Sequence, residues 1–227
     1  MKITFISDTH TKHKNITQDL PGGDLLIHAG DISSMGYEHE IQQFCKWFDK
    51  IDNYDHKIFI AGNHDWGFQN NVENAMQIVN SYKTIDYLQD DWFKVIYGEQ
   101  MVKVYGSPWQ PEFYNWAFNL PRMGKELDEK WSLIPEGLDV LVTHGPPWGM
   151  LDMTPNNINV GCELLQKKVI QVKPKIHVFG HIHSSYGQKT FDGVEYINAS
   201  VLGENYKPKN KPVMIDYNLE TKEFDYV

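Results

Sequence analysis

Five short, almost purely apolar segments recur along the 227-residue chain, and each of them ends at an aspartate, an asparagine or a histidine. They cover residues 3–7, 25–29, 57–61, 139–143 and 175–180. A segment of this length that is apolar at nearly every position is typical of a β-strand buried on both faces. The chain is therefore expected to fold around strands covered on both sides, with polar residues gathered at the strand ends.

Amphipathic patterns fill the intervals between these strands. Apolar residues at helical spacing predict helices over 37–51, 71–82, 124–134 and 160–172. Further strands, expected to be antiparallel, are predicted over 93–97, 101–105, 194–199, 212–217 and 222–226. The aromatic segment 107–121 is expected to be irregular. Alternating strands and helices followed by hairpins indicate an α/β layered fold with a mixed sheet, formed by one domain over residues 1–227.

The charge of the chain argues against one class of partner. The formal net charge is −9, and Arg122 is the single arginine. Long nucleic acids are bound mainly by clustered lysines and arginines that neutralise phosphates. We therefore do not expect long nucleic acid as a ligand, and a small anionic substrate held by a local positive charge fits the sequence better.

Cysteine content and hydropathy predict the cellular compartment of the protein. Cys45 and Cys162 are the only cysteines, which indicates no disulfide framework and a reducing compartment. No apolar run approaches the length of a membrane span, and residues 1–8 become polar too early for a signal peptide. We expect a cytoplasmic protein that does not enter the membrane, and the sequence sets no oligomeric state.

The polar residues at the strand ends are of the types that bind metal ions. They are Asp8 and His10, Asp31, Asn63 and His64, His144, and His181 and His183. Taken singly, each has an ordinary structural explanation, such as a helix cap, a turn or a buried histidine. Residues two apart in an extended chain point to the same side, so His181 and His183 can converge on one volume. Because ligands in such folds bind beyond the carboxyl ends of the strands, five coincident positions predict a metal site.

In this order the residues form a pattern of motifs. The motifs are Asp8-Thr9-His10, Gly30-Asp31, Gly62-Asn63-His64-Asp65, Thr143-His144-Gly145 and Gly180-His181-Ile182-His183. The set resembles the calcineurin-like metallophosphoesterase superfamily. Segments 20–31, 105–109, 118–121, 144–147 and 196–200 are also similar to its metallophosphoesterase-domain-containing group, which is related to class III cyclic-nucleotide phosphodiesterases. The resemblance implies a layered α/β fold in which mixed β-sheets form a sandwich flanked by helices.

The resemblance also implies the role of each motif. It assigns two divalent metal ions (manganese, iron, zinc or a mixture) to seven ligands: Asp8, His10 and His183 for the first ion, Asn63, His144 and His181 for the second, and Asp31 for both. His64 would face the leaving-group oxygen without binding metal, and Asp65 would orient it. Some members of the group replace the histidine at position 181 and lose most activity. Because this chain keeps His181, an active enzyme is expected.

Elementary electrostatics explains why such a site needs an anionic bridge. Two divalent ions about 3.5–4 Å apart repel each other by about 18 kcal/mol at an effective dielectric constant near 20. Asp31 and a bridging hydroxide would offset this repulsion. With Asp8 included, the local charge would be about +1, which suits a phosphodiester monoanion. The hydroxide would attack phosphorus, and His64 would assist the departing oxygen.

Substrate class is narrowed by the residues near the second motif. Protein phosphatases of the superfamily carry an arginine shortly after Gly-Asp, whereas here the single arginine is distant in sequence at position 122. A small phosphodiester, such as a 2′,3′- or 3′,5′-cyclic nucleotide, is therefore the favoured substrate. Two alternatives stay open, namely a nucleotide-binding protein with weak residual activity and a nuclease or RNA-processing phosphodiesterase.

Aromatic residues near the motifs allow a second function besides packing. Trp66, Trp109 and Trp148 follow motif loops, where they could stack on a base or close an edge of the core. The aromatic segment 109–118 could close over the site. The sequence does not decide between these roles.

Overall fold

The computed structural model describes all residues, 1–227. Its strands are β1 (Lys2–Ile6), β2 (Gly23–His28), β3 (Tyr54–Phe59), β4 (Ile85–Tyr87), β5 (Asp91–Tyr97), β6 (Gln100–Ser107), β7 (Gln110–Pro111), β8 (Asn119–Leu120), β9 (Val140–Thr143), β10 (Ile176–Phe179), β11 (Gly187–Phe191), β12 (Val194–Asn198), β13 (Val213–Tyr217) and β14 (Phe224–Tyr226). Its α-helices are α1 (Glu38–Asp49), α2 (Gly67–Asn70), α3 (Val72–Asn80), α4 (Lys125–Ser132) and α5 (Glu163–Val172). None of these helices is long and apolar enough to cross a bilayer.

Two six-stranded mixed sheets form the body of the molecule. The strand order is β14-β13-β1-β2-β3-β4 in the first sheet and β11-β12-β10-β9-β6-β5 in the second. Apolar residues from both sheets meet in one buried cluster, to which Phe5, Ile27 and Ile58 contribute from the first sheet and Val142 and Val178 from the second. The α/β layered fold with a sandwich of mixed sheets, predicted from the sequence, is confirmed.

Helices cover the outer face of each sheet, which explains why the central strands are apolar at every position. In β2, for example, Leu25 and Ile27 pack between the sheets, whereas Leu26 packs outward against the cluster that holds Phe44 of α1. In β9, Leu141 packs outward in the cluster that holds Val169 of α5. Alternate side chains of a strand point to opposite faces, so a strand covered on both sides needs apolar residues throughout.

The start of α1 is held by a capping box built on Glu40. Its carboxylate accepts hydrogen bonds from the backbone N–H groups of Met35 at 3.0 Å and Tyr37 at 3.1 Å. These bonds satisfy N–H groups that have no partner inside the helix. The loop between β2 and α1 is thereby fixed directly behind the predicted site.

Several short elements were not predicted. Strand β4 has three residues, and β11 is an edge strand whose side chains are mostly exposed, so neither carries an apolar pattern. The segment 107–121, predicted to be irregular, contains the two-residue strands β7 and β8. The prediction of a purely antiparallel end to the chain was wrong for β12, which pairs parallel with β10 and antiparallel with β11.

Parallel pairing aligns the strand ends that matter for the site. Strands β1, β2 and β3 are parallel, as are β6, β9, β10 and β12. An isolated parallel bridge between Ser7 and Ser200 joins the two sheets just beyond β1 and β12. The carboxyl ends of the central strands of both sheets therefore open at one edge of the sandwich.

Candidate metal centre

All nine residues singled out in the sequence lie at this edge, in the loops that follow five strands. They are Asp8 and His10 after β1, Asp31 after β2, Asn63, His64 and Asp65 after β3, His144 after β9, and His181 and His183 after β10. Seven of the nine are buried, and His64 and His181 are partly exposed. The parallel strands thus bring residues from distant parts of the chain into one small volume.

The first group of donor atoms comes from Asp8, His10 and His183, whose ligand atoms all lie within 4.8 Å of one another. Nε2 of His183 is 3.3 Å from Oδ1 of Asp8, and Nε2 of His10 is 4.0 Å from the same oxygen. One carboxylate and two imidazoles at this spacing form a set that can hold a divalent transition metal ion.

Asp31 lies between the first group and a second one. Its Oδ2 atom is 3.5 Å from Nε2 of His10 and 3.3 Å from Nε2 of His144. Asp31, His144 and His181 again have ligand atoms within 4.8 Å of one another. Oδ1 of Asn63 lies 2.9 Å from Nε2 of His144, which adds a neutral oxygen donor to the second group.

Backbone carbonyls orient two of these histidines. Nδ1 of His144 lies 2.9 Å from the carbonyl oxygen of Ala29, and Nδ1 of His183 lies 3.2 Å from that of Gly203. A carbonyl oxygen only accepts, so each Nδ1 donates and Nε2 is the atom turned toward the carboxylates. A hydrogen bond of this kind on the remote nitrogen fixes the tautomer and ring orientation of histidine ligands.

The electrostatics of the site favour a bound cation. Burial opposes the charged imidazolium of His144, but the carboxylates of Asp31 and Asp8 and the hydrogen bond to Ala29 together outweigh burial and raise the pKa of His144 to about 9. The carboxylate of Asp8 likewise raises the pKa of His183 to about 9 against the effect of burial. Burial raises the pKa of Asp8 and of Asp31, yet the neighbouring histidines reverse this effect, so both values lie below the ordinary one.

His10 provides the clearest test of whether a cation fits. Its Nε2 atom is buried and has no hydrogen-bond partner, and burial lowers the pKa of His10 to about 4. A neutral imidazole with a buried, unpartnered nitrogen beside two carboxylates would leave a polar atom unsatisfied. The ion pairs of Asp8 and Asp31 involve histidine only. The donor set therefore fits metal ions.

The backbone is strained at four of the candidate ligands. Asp8, His10, Asp31 and His181 have φ angles of 56°, 39°, 57° and 67°. Residues with a side chain rarely adopt positive φ, and each instance costs on the order of 1 kcal/mol. Strain of this kind persists where the surrounding structure imposes it, and it clusters at functional sites.

Two motif glycines allow the strand ends to approach the carboxylates. A Cβ atom on Gly62 would overlap Oδ1 of Asp31, and one on Gly180 would overlap Oδ2 of Asp8. The first position of the motifs Gly-Asn-His and Gly-His-x-His is therefore glycine for a steric reason.

His64 and Asp65 differ in how they meet the site. Nδ1 of His64 lies 2.8 Å from the carbonyl oxygen of Ser34, and its imidazole shares a donor group with His10 and Asp31. The carboxylate of Asp65 makes no hydrogen bond to this imidazole. It accepts hydrogen bonds from the backbone and hydroxyl of Ser33 and from the backbone N–H groups of Ile32 and Gly62. Asp65 thus joins the loops after β2 and β3, and burial together with Asp31 raises its pKa to about 7.

Ser200 and Asn198 are supporting residues to which the sequence motifs assigned no role. The hydroxyl of Ser200 donates to Oδ2 of Asp8 at 2.7 Å and lies 2.8 Å from Oδ1 of Asn198. The amide of Asn198 donates to the carbonyl oxygen of Ile182 at 2.9 Å. These residues lie in segment 196–200, whose similarity to the family was the only available signal.

A cavity of about 280 Å³ opens above the donor groups. Its outer wall includes Phe113, Trp116, Tyr206 and Arg122. Arg122 therefore lies near the site in space, although it is distant from the second motif in sequence. Its guanidinium donates to Glu163 and to the carbonyl oxygens of Gly161 and Val160.

The three tryptophans considered in the sequence do not line this cavity. The indole N–H of Trp109 donates to Asp90, and Lys130 lies over the same ring at 4.4 Å from its centroid. Trp66 packs against the core beneath the first sheet. The tryptophan that lines the cavity is instead Trp116, which faces His64 and lies within the segment that was expected to close over the site.

The chain matches a known protein family over most of its length. The profile described as Calcineurin-like phosphoesterase (Metallophos) matches residues 1–185, which include every motif named above. The chain belongs to the calcineurin-like phosphoesterase family.

Curated proteins extend this similarity over nearly the whole chain. The human metallophosphoesterase domain-containing protein 1 is 42% identical over 237 aligned residues, which cover 95% of this chain and 70% of the human protein. A UPF0046 protein of Caenorhabditis elegans is 38% identical over 99% of this chain and 62% of its own length. Among solved structures, the Thermus thermophilus protein TT1561 matches with a TM-score of 0.66 at 11% identity, covering 100% of this chain and 97% of that one. This structural match supports the calcineurin-like fold only.

Proposed function

We propose that this calcineurin-like phosphoesterase is a dinuclear-metal phosphodiesterase that hydrolyses small phosphodiesters. The observation that carries the proposal is the position of Asp31 between two donor groups, 3.5 Å from Nε2 of His10 and 3.3 Å from Nε2 of His144. A carboxylate shared by two sets of imidazoles is the arrangement that two close cations require, because an anion must separate them.

The seven donors divide into two sets in this proposal. Asp8, His10 and His183 hold one ion, Asn63, His144 and His181 hold the other, and Asp31 contributes to both. When bound, the ions supply Lewis acidity toward the phosphoryl oxygens and a nucleophilic oxygen at neutral pH. The chain's own part is to fix the donors, through the carbonyls behind His144 and His183 and the hydroxyl behind Asp8.

His64 is proposed to act at the departing oxygen. Its Nδ1 donates to the carbonyl oxygen of Ser34, which leaves Nε2 to carry the proton that the departing oxygen takes up. His64 and His181 both line the cavity above the donor groups. Asp65 is proposed to support His64 through the backbone of its loop rather than through the imidazole itself.

The substrate proposed is a small phosphodiester, such as a cyclic nucleotide. A cavity of about 280 Å³ lies at the small end of the range for small-molecule sites. The charge of the Arg122 guanidinium is paired with Glu163, and two carbonyl oxygens accept further hydrogen bonds from it, which disfavours its use for the extra charge of a phosphomonoester. A net charge of −9 also disfavours long polyanions.

Turnover of several diesters by protein loaded with Mn²⁺ tests the proposal. Wild-type chain and an Asp31→Asn control would be compared on bis-p-nitrophenyl phosphate, on 2′,3′- and 3′,5′-cyclic nucleotides and on linear oligonucleotides. We expect metal-dependent hydrolysis of the aryl diester and of at least one cyclic nucleotide, all lost in the control. Nucleotide binding with no turnover above the control would instead indicate a binding protein. Cleavage of oligonucleotides with a steep salt dependence would indicate a nuclease.

A further inference from the structure

Trp116 packs on a candidate catalytic residue rather than in a core. It lies between β7 and β8, and its indole ring faces the imidazole of His64 with centroids 4.1 Å apart and planes inclined by 32°. The neighbouring Ala117 and Phe118 belong to the core beneath the first sheet, but Trp116 belongs to none of the three apolar clusters. Trp116 is thus a large aromatic side chain that lines the cavity and lies outside the core. Its contacts in the cavity therefore indicate its function.

The segment that carries Trp116, residues 110–120, is anchored to the loop that carries His64. The backbone N–H of Ala117 donates to the carbonyl oxygen of Asn63 at 3.0 Å. The backbone N–H of Phe118 donates to Oε1 of Gln69 at 2.6 Å. The two residues that follow Trp116 are therefore bonded to residues on either side of His64, which fixes the indole relative to the imidazole.

The imidazole of His64 is confined from three directions. The indole of Trp116 covers one face, and the ring of His10 meets it in an edge arrangement with centroids 4.6 Å apart and planes at 87°. The carbonyl oxygen of Ser34 accepts a hydrogen bond from Nδ1 of His64. The ring atom left to meet a substrate is Nε2, and its direction depends on these three contacts.

We propose that Trp116 is a positioning residue that holds the imidazole of His64 toward the departing oxygen. The proposal rests on the role of His64 given above. Without the indole, one face of the imidazole would be open and the ring would sample other rotamers, so Nε2 would spend less time in the productive orientation. Proton donation to the departing oxygen accelerates the reaction most when that oxygen is a poor leaving group. The loss of activity should therefore be greatest on alkyl esters.

Leaving-group dependence provides the kinetic test. Trp116→Ala, Trp116→Phe and a control, Trp92→Ala, would be compared on bis-p-nitrophenyl phosphate and on 3′,5′-cyclic AMP; Trp92 is a 45% exposed residue of β5. We expect Trp116→Ala to lower kcat on the alkyl ester by roughly tenfold, a part of the factor that a general acid supplies, with a much smaller change on the aryl ester. Trp116→Phe should recover most of the loss, and Trp92→Ala should change neither rate. Adding Trp116→Ala to His64→Ala should cause no further loss. Equal losses on both esters, or additive losses in the double variant, would overturn the proposal.

A second arm does not depend on turnover. Diethyl pyrocarbonate modifies accessible imidazoles, and the modification of His64 can be followed by peptide mass spectrometry. We expect Trp116→Ala to increase this rate several-fold, whereas Trp116→Phe and Trp92→Ala leave it close to wild type. An unchanged rate in Trp116→Ala would refute the positioning role even if the proposed phosphodiesterase activity were absent. Absence of turnover with the expected modification rates would refute the activity alone.

Discussion

The hydroxyl of Ser200 donates a 2.7 Å hydrogen bond to Oδ2 of Asp8, across 192 residues of sequence. Both groups are buried, and the same hydroxyl lies 2.8 Å from Oδ1 of Asn198. A carboxylate held in this way keeps its other oxygen directed at His183, 3.3 Å away. The first donor group is thus fixed by a residue that is not one of its candidate ligands.

Removing this hydroxyl should weaken metal binding. We expect Ser200→Ala to lower the affinity for one Mn²⁺ ion by about 10- to 100-fold, the usual effect of losing a hydrogen bond behind a ligand. Calorimetric titration of metal-free protein measures it, with Ser132→Ala on the exposed side of α4 as the control. Equal affinities in the wild type and in Ser200→Ala would show that Asp8 does not need this support.

Substitution of either second-group donor should remove one ion and keep the fold. We expect Asn63→Ala and His181→Ala to bind close to one metal ion per chain where the wild type binds two, because each loses a donor beside His144 and Asp31. Elemental analysis gives the stoichiometry, and circular dichroism checks the fold. Two ions in both variants would argue against the second set of ligands.

His64→Ala should discriminate between leaving groups. The loss of a proton donor is expected to slow an alkyl phosphodiester by about 10²- to 10⁴-fold and to affect a p-nitrophenyl ester far less. Steady-state kinetics on the two esters measures the difference. A matched loss on both would mean that His64 serves the site in another way.

Acid stability should depend on His177, which lies in β10 away from the donor groups. Burial lowers the pKa of His177 to about 3, and Nε2 lies 2.8 Å from the hydroxyl of Thr143. The unfolded chain takes up this proton near the ordinary value of 6.5, whereas the folded chain does not until about 3. Its stabilising contribution is therefore complete above pH 6.5 and is lost as the pH falls toward 3.

His177→Gln keeps a hydrogen-bonding side chain without this titration. In urea unfolding between pH 6 and 4.5, we expect the free energy of unfolding of the variant to fall less steeply than that of the wild type, by up to about 1.4 kcal/mol per pH unit. Parallel pH dependences in the two proteins would contradict the buried neutral state of His177.

The strands and the donor residues could be predicted because their signals are local. An apolar run covered on both faces is visible within five or six residues, and parallel strands must end at one edge. Those two facts place Asp31 and His144 at strand ends, whereas their meeting also depends on how the two sheets are aligned.

Other parts of the site depend on long-range packing and could not be predicted. Arg122 is far from the motifs in sequence, yet β8 and the following turn bring it to the cavity wall. In the sequence, Trp116 and Trp109 are both aromatic residues of one predicted loop, and nothing local distinguishes them. The structure does so through long-range bonds: Ala117 donates to Asn63 next to His64, whereas the indole of Trp109 donates to Asp90. The edge strand β11 lacks an apolar pattern because solvent covers most of its side chains.

Anomalous diffraction from crystals of the Mn²⁺-loaded protein would locate the ions relative to the shared carboxylate. We expect two manganese peaks, one beside Asp8, His10 and His183 and one beside Asn63, His144 and His181, with the carboxylate of Asp31 in contact with both. A single peak, or two peaks that do not share Asp31, would contradict the dinuclear site.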